Sequence, residues 1–187
     1  MKAQFLRGLV ASVSALLAAP ALALVIDFNG SGTVSPIGPP DAGGNIPLLA
    51  ISAGGYTLDG ESGWSLSSPF SFNFATNSGA GTFSFSRFGD SLTGSLSTTG
   101  ILVPEVPAPV GFNLSYSILG GTGRFSGASG WGSSVVLLDP SSTEPPFAFT
   151  ERGRFTVPEP TTWALLLPLL IRLAALRSPA ARTPAAH

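Results

Sequence analysis

The chain has no cysteine among its 187 residues, and its one histidine, His187, is the last residue. Without cysteine there are no disulfides, no thiol nucleophile, no iron–sulfur cluster and no thiolate zinc site, so an exported domain of this sequence must rely on its own core. Without an internal histidine there is no Ser-His-Asp triad and no zinc site resting on imidazole. Charge is also scarce: 10% of the residues are Asp, Glu, Lys or Arg, where about a quarter is usual. Between Leu24 and Val157 only Arg87, Arg124, Arg152 and Arg154 stand against nine acidic residues, a formal charge of −5. A mildly acidic domain carries no electrostatic footprint for nucleic acid, and that class of partner is excluded.

What the chain does have is 13 Phe, 23 Gly and 17 Pro. Many aromatics with a low net charge argue against disorder. Abundant Gly and Pro predict many turns and few long helices. The apolar residues are unevenly placed, with one run near each terminus and a polar Gly/Ser/Thr/Phe-rich region between them.

The N-terminal run has the form of a secretory signal peptide over residues 1–23. Lys2 and Arg7 supply the positive start, Leu9 to Leu17 the apolar stretch, and Ala21-Leu22-Ala23 the small residues of a cleavage site at Ala21 and Ala23. The apolar stretch is short for a permanent anchor, which needs about 20 apolar residues. The mature chain is expected to begin near Leu24.

Near the other end stands Val157-Pro158-Glu159-Pro160, followed at once by the apolar run Trp163 to Ile171 and by Arg172, Arg177 and Arg182. This arrangement over residues 157–187 resembles the PEP-CTERM sorting signal of Gram-negative bacteria that make exopolysaccharide. The resemblance implies processing near Pro158-Glu159-Pro160 by a membrane-embedded exosortase. It also implies transient residence in the inner membrane, a final place at the cell surface or in the extracellular matrix, and an association with exopolysaccharide. The physical chemistry is compatible: prolines delay the start of a helix, Trp163 sits at an interfacial position, and the arginines after the span satisfy the positive-inside rule. Two features depart from the family pattern. Arg172 interrupts the apolar run, and the tail from Ser178 is less compactly basic. Pro168 argues against the alternative of a buried amphipathic helix closing the domain.

The region between, residues 24–156, alternates apolar and polar residues as half-buried strands do. Phe70, Phe72 and Phe74 alternate with Ser71 and Asn73; Thr76 to Gly81 reads as a turn; Phe83 and Phe85 alternate with Ser84 and Ser86; Leu92 to Leu96 follows Gly89-Asp90. Further strands are expected at Phe112–Ile118, Val135–Leu138 and Phe147–Val157. In the last, Phe147, Phe149, Gly153, Phe155 and Val157 share one face, and Arg152 and Arg154 the other. The fold class expected is all-β: an antiparallel sandwich or small closed barrel of about seven to nine strands, flanked by the N-terminal signal helix and a C-terminal transmembrane helix.

One internal stretch is distinctive. Tyr116 to Gly130, with Gly120-Gly121-Thr122-Gly123-Arg124-Phe125 at its centre, resembles the strand and glycine-rich turn of small secreted β-barrels related to allene oxide cyclase and dirigent proteins. Phe149 to Val157 fits the closing strand of such a barrel. The resemblance is confined to the C-terminal half. The stretch lacks the spacing and the Lys-Ser/Thr ending of a phosphate-binding loop; Phe125 is expected to pack inward and Arg124 to pair with a nearby acid.

No catalytic constellation, metal site or cofactor is predicted. Asp59 and Glu61, in Leu58-Asp59-Gly60-Glu61-Ser62-Gly63, read as a solvated turn. Glu151, with Arg152 and Arg154, reads as a solvated strand face. Trp64 and Trp131 could stack on sugars if exposed. The leading expectation is a non-enzymatic exported envelope or matrix protein with a structural or interaction role. The alternative is a barrel holding a small apolar ligand. An isomerase or cyclase follows from fold resemblance alone, and fold does not fix function.

Overall fold

The computed structural model of the chain describes residues 23–104 and 109–158. These form eight antiparallel strands that close into a barrel in simple sequence order. The strands are β1 (Ala23–Pro36), β2 (Asn45–Leu58), β3 (Glu61–Asn73), β4 (Ser78–Arg87), β5 (Asp90–Ile101), β6 (Gly111–Thr122), β7 (Gly130–Leu138) and β8 (Phe147–Pro158). A single 3₁₀ turn, Gly123–Phe125, lies between β6 and β7. The barrel is closed by β1 and β8, which pair from Ala23↔Pro158 to Val34↔Phe147. Closure settles the choice between sandwich and barrel, and it removes the unpaired edges that an open sheet would expose.

Both chain ends of the barrel leave from one rim, because Ala23 and Pro158 are register partners. That rim also carries the β2–β3, β4–β5 and β6–β7 connections. The opposite rim carries residues 37–44, 74–77, 102–104 with 109–110, and 139–146. Among the described residues no helix is long and apolar enough to cross a membrane; the expected signal and transmembrane helices lie outside them.

Alternation places one face of each strand inside. Ile26 and Phe28 of β1, Tyr56 and Leu58 of β2, Trp64 and Leu66 of β3, and Phe83 and Phe85 of β4 are buried. So are Leu92 and Leu96 of β5, Tyr116 and Ile118 of β6, Val136 of β7, and Phe149, Phe155 and Val157 of β8. Two sequence expectations need correction. Thr76 to Gly81 is not all turn, since Ser78–Gly81 opens β4. Gly81 serves there as a strand residue: a Cβ on it would lie 2.4 Å from Phe70 Cβ, so its bareness makes room for the neighbouring aromatic. Phe74, read as continuing the Phe70–Phe72 alternation, lies beyond the end of β3 and is exposed.

The glycine-rich stretch behaves as expected. Phe125 is buried and packs edge-on against Trp64 at 5.9 Å. Arg124 reaches Glu61 at 2.7 Å and lies over the Trp64 ring at 5.3 Å. Glu61 also takes Arg87 at 2.8 Å. Asp59 and Gly60 form the β2–β3 turn with positive φ, while Glu61 begins β3 in this cluster. Together these groups plug the rim from which the chain ends leave.

Candidate functional site

The site is assembled around Glu151. The solvated face expected for it is wrong: Glu151 is 4% exposed and points into the barrel. It shares the parity of Phe149, Gly153 and Phe155, whereas Arg152 and Arg154 are on the outside as expected. Arg154 pairs there with Asp27 at 2.6 Å.

A buried carboxyl requires partners, and three hydroxyls supply them. Tyr56 donates to Oε2 of Glu151. Tyr116 and Ser134 each donate to Oε1, both at 2.5 Å. The backbone permits this through glycine. Along one ladder row, Tyr56 of β2 pairs with Gly30 of β1, and Gly30 pairs with Glu151 of β8. A Cβ on Gly30 would sit 2.4 Å from the Tyr56 ring. Tyr56 therefore reaches across β1 to Glu151 only because position 30 carries no side chain.

The two tyrosines divide the interior. Their rings belong to an aromatic block on the side of the chain ends: Phe28 stacks on Phe155 at 4.4 Å, Phe83 meets Tyr116 edge-on at 4.9 Å, and Tyr56 meets Phe85 edge-on at 5.1 Å. Such pairs add to the burial of their area. Their hydroxyls, with Glu151, mark where that block ends. Beyond it lies a pocket of about 40 Å³. Its walls include Val34, Leu66, Leu96, Phe112, Val136 and Phe149, and its half-buried margin Ala50, Phe70 and Leu114. Among the described residues only Ser68, Thr98, Tyr116 and Glu151 bring polar side chains to it. Ser68 donates to the Thr82 carbonyl, whereas the buried Thr98 hydroxyl has no partner.

Burial raises the Glu151 pKa above the ordinary glutamate value, against the lowering effect of its three hydrogen bonds. Burial, followed by the Glu151 charge, also raises both Tyr56 and Tyr116 well above the ordinary tyrosine range. The two phenols therefore stay protonated and remain donors. Among the described residues no arginine faces the carboxyl. The four arginines of the barrel are Arg87 and Arg124 in the plugged rim, and Arg152 and Arg154 on the outer face.

Of the residues singled out in sequence, Ala23 opens β1 and Pro158 closes β8. Ala21, Glu159, Pro160, Arg172, Arg177 and Arg182 lie outside the described residues. Trp64 is fully buried and takes no part in surface stacking, while Trp131 is 60% exposed on the outside of β7. Among the described residues no group of three or more His, Cys, Asp or Glu could hold a metal ion. No sequence signal marked Tyr56, Ser134 or Thr98, although the parity of β8 did point Glu151 inward.

No family model matches the chain, and neither the curated proteins nor the solved structures gave a significant match.

Proposed function

We propose that this chain is an exported binding barrel of the bacterial envelope, and that the hollow half of its interior receives the end of a small amphiphilic molecule. The observation that carries the reading is the pocket itself: an apolar, partly open recess with a buried carboxyl at its base. At about 40 Å³ it is far smaller than the few hundred Å³ of a drug-sized site. It has room for roughly three waters or as many heavy atoms of a ligand. The interior is thus neither solid nor a large cavity, and the fitting occupant is a head group with a stem that extends outward.

The routing part of the proposal rests on residues 1–23 and 157–187 and their resemblance to signal-peptide and PEP-CTERM segments. In this reading exosortase is the processing partner, the inner membrane is a temporary station, and exopolysaccharide is the surrounding matrix. Both segments would leave from the plugged rim, because Ala23 pairs with Pro158. The pocket occupies the other half of the barrel.

Two measurements test this. Native mass spectrometry of the barrel from its exporting cells is expected to show a retained small molecule, lost in Ala50→Leu, which fills the pocket margin. Retention unchanged by that substitution contradicts the binding role. For the routing, the mature chain is expected to start near Leu24 and end near Pro158-Glu159-Pro160; a C-terminus intact to His187 in cells with an exosortase contradicts it. A purely structural matrix role is the second reading, favoured by the tightly packed, plugged half of the barrel.

A further inference from the structure

Among the described residues, the polar side chains that line the pocket carry only oxygen as their polar atom. Ser68 comes from β3, Thr98 from β5, Tyr116 from β6 and Glu151 from β8, so they approach from different sides of the barrel. The Tyr116 hydrogen is already committed to Glu151. The Ser68 hydrogen is committed to the Thr82 carbonyl, which leaves its lone pairs. A carboxylate offers about four lone-pair positions. Tyr56 occupies one on Oε2, and Tyr116 and Ser134 two on Oε1, which leaves one on Oε2. Thr98, 4% exposed, has a hydroxyl with no partner among the described residues. The recess therefore presents acceptors in excess of donors, around an acidic group that no arginine of the barrel neutralises.

We infer that the ligand end received by the pocket is a primary ammonium group, held by Glu151, Thr98 and Ser68, with its alkyl stem against the apolar wall. An ammonium has three donors and no acceptor, which complements three oxygens of this kind. It also brings the positive charge that a buried carboxylate otherwise lacks. The burial that disfavours the charged form of Glu151 in the empty barrel is offset once a cation lies beside it. A carboxylate or phosphate head would meet the same oxygens with repulsion. A bare alkali ion would gain nothing from the Val34, Leu96 and Val136 walls. This inference rests on the binding role proposed above and specifies the chemistry of its ligand.

The test is a methyl-resolved NMR titration of the barrel, following Val34, Leu96 and Val136, with n-butylammonium, n-butanol, n-butyrate and potassium chloride. Butylammonium is expected to saturate these shifts about tenfold or more tighter than butanol, with no saturation by butyrate or potassium. Glu151→Gln is expected to remove the preference for the ammonium. Thr98→Val, which leaves the Glu151 network untouched, is expected to weaken ammonium binding several-fold, and it serves as the readout if the first variant does not fold. Binding of butanol, butyrate or potassium as tight as that of butylammonium overturns the ammonium assignment, as does a preference unchanged in both variants. If butanol binds and the ammonium gains nothing over it, only the ligand class falls. If none of the four probes moves the pocket methyls, the binding role falls as well.

Discussion

The half of the barrel nearest the chain ends and the half beyond Glu151 are built from the same strands, yet they are packed differently. In the first, Phe28, Phe83, Phe85, Phe155 and the ring of Tyr56 lie in mutual contact, and Trp64, Phe125 and Arg124 plug the rim. In the second, Val34, Ala50, Ser68, Thr98 and Val136 stand among Phe70, Phe112 and Phe149, and the smaller side chains leave a recess. An eight-stranded barrel is just wide enough for its side chains to fill it. Side-chain volume at each level then decides whether that level is solid or hollow. Glu151 sits at the change of level, where the hydroxyls of aromatic residues are within reach and void begins on the other side.

The largest effects should expose this difference. Phe155→Ala removes the stack on Phe28 and should cost about 4 kcal/mol in chemical denaturation. Phe149→Ala borders space that is already empty and should cost about 2 kcal/mol. Equal costs would break the contrast between the halves. Gly30→Ala places a Cβ against the Tyr56 ring and should cost roughly 2–3 kcal/mol by overpacking. Tyr56→Phe in the same background should recover little, because the clash is with the ring and not the hydroxyl.

These substitutions also show why part of the design was legible in sequence and part was not. Period-2 alternation of phenylalanine revealed β3, β4, β6 and β8, since Phe on one face and Ser on the other is an unambiguous pattern. β1 and β2 were missed: their ladder shifts register between Gly30 and Thr33, and glycine and serine blur the alternation. Gly79 and Gly81 read as turn residues because a bare position that admits a neighbour's aromatic ring cannot be told locally from one that needs positive φ. The Glu151 site was half legible. Its parity with Phe149 and Gly153 pointed inward, but the adjacent Arg152 and Arg154 drew it into a charged face. Tyr56 and Tyr116, distant in sequence, could be joined to it only by knowing the barrel order.

Folding raises the Glu151 pKa, so above the ordinary value of 4.5 the folded chain holds a proton that the unfolded chain has released. Stability should fall as pH rises from there through the folded-state pKa. The groups facing Glu151 are Tyr56 and Tyr116, which stay protonated throughout that window, and Ser134, which does not titrate. Asp27, Asp41 and Asp139 are lowered from 3.8 by their hydrogen bonds and lose their stabilising contributions only at more acidic pH. Glu151→Gln should flatten the decline in thermal midpoint above pH 4.5 and leave the acid limb in place. An unchanged decline would show that some other group governs it. The smallest effect expected is at Thr98: Thr98→Val removes a buried hydroxyl without a partner and should stabilise the empty barrel by up to about 1 kcal/mol.

The most direct test of a barrel filled at one end and receptive at the other is to titrate n-butanol while observing methyl groups in both halves at once. Saturable shifts are expected at Val34, Leu96, Leu114 and Val136, which line the pocket. Ile26, Leu58, Leu92 and Ile118, buried in the packed half, should stay unmoved. Saturable shifts spread evenly over both sets, or confined to the second, would contradict it.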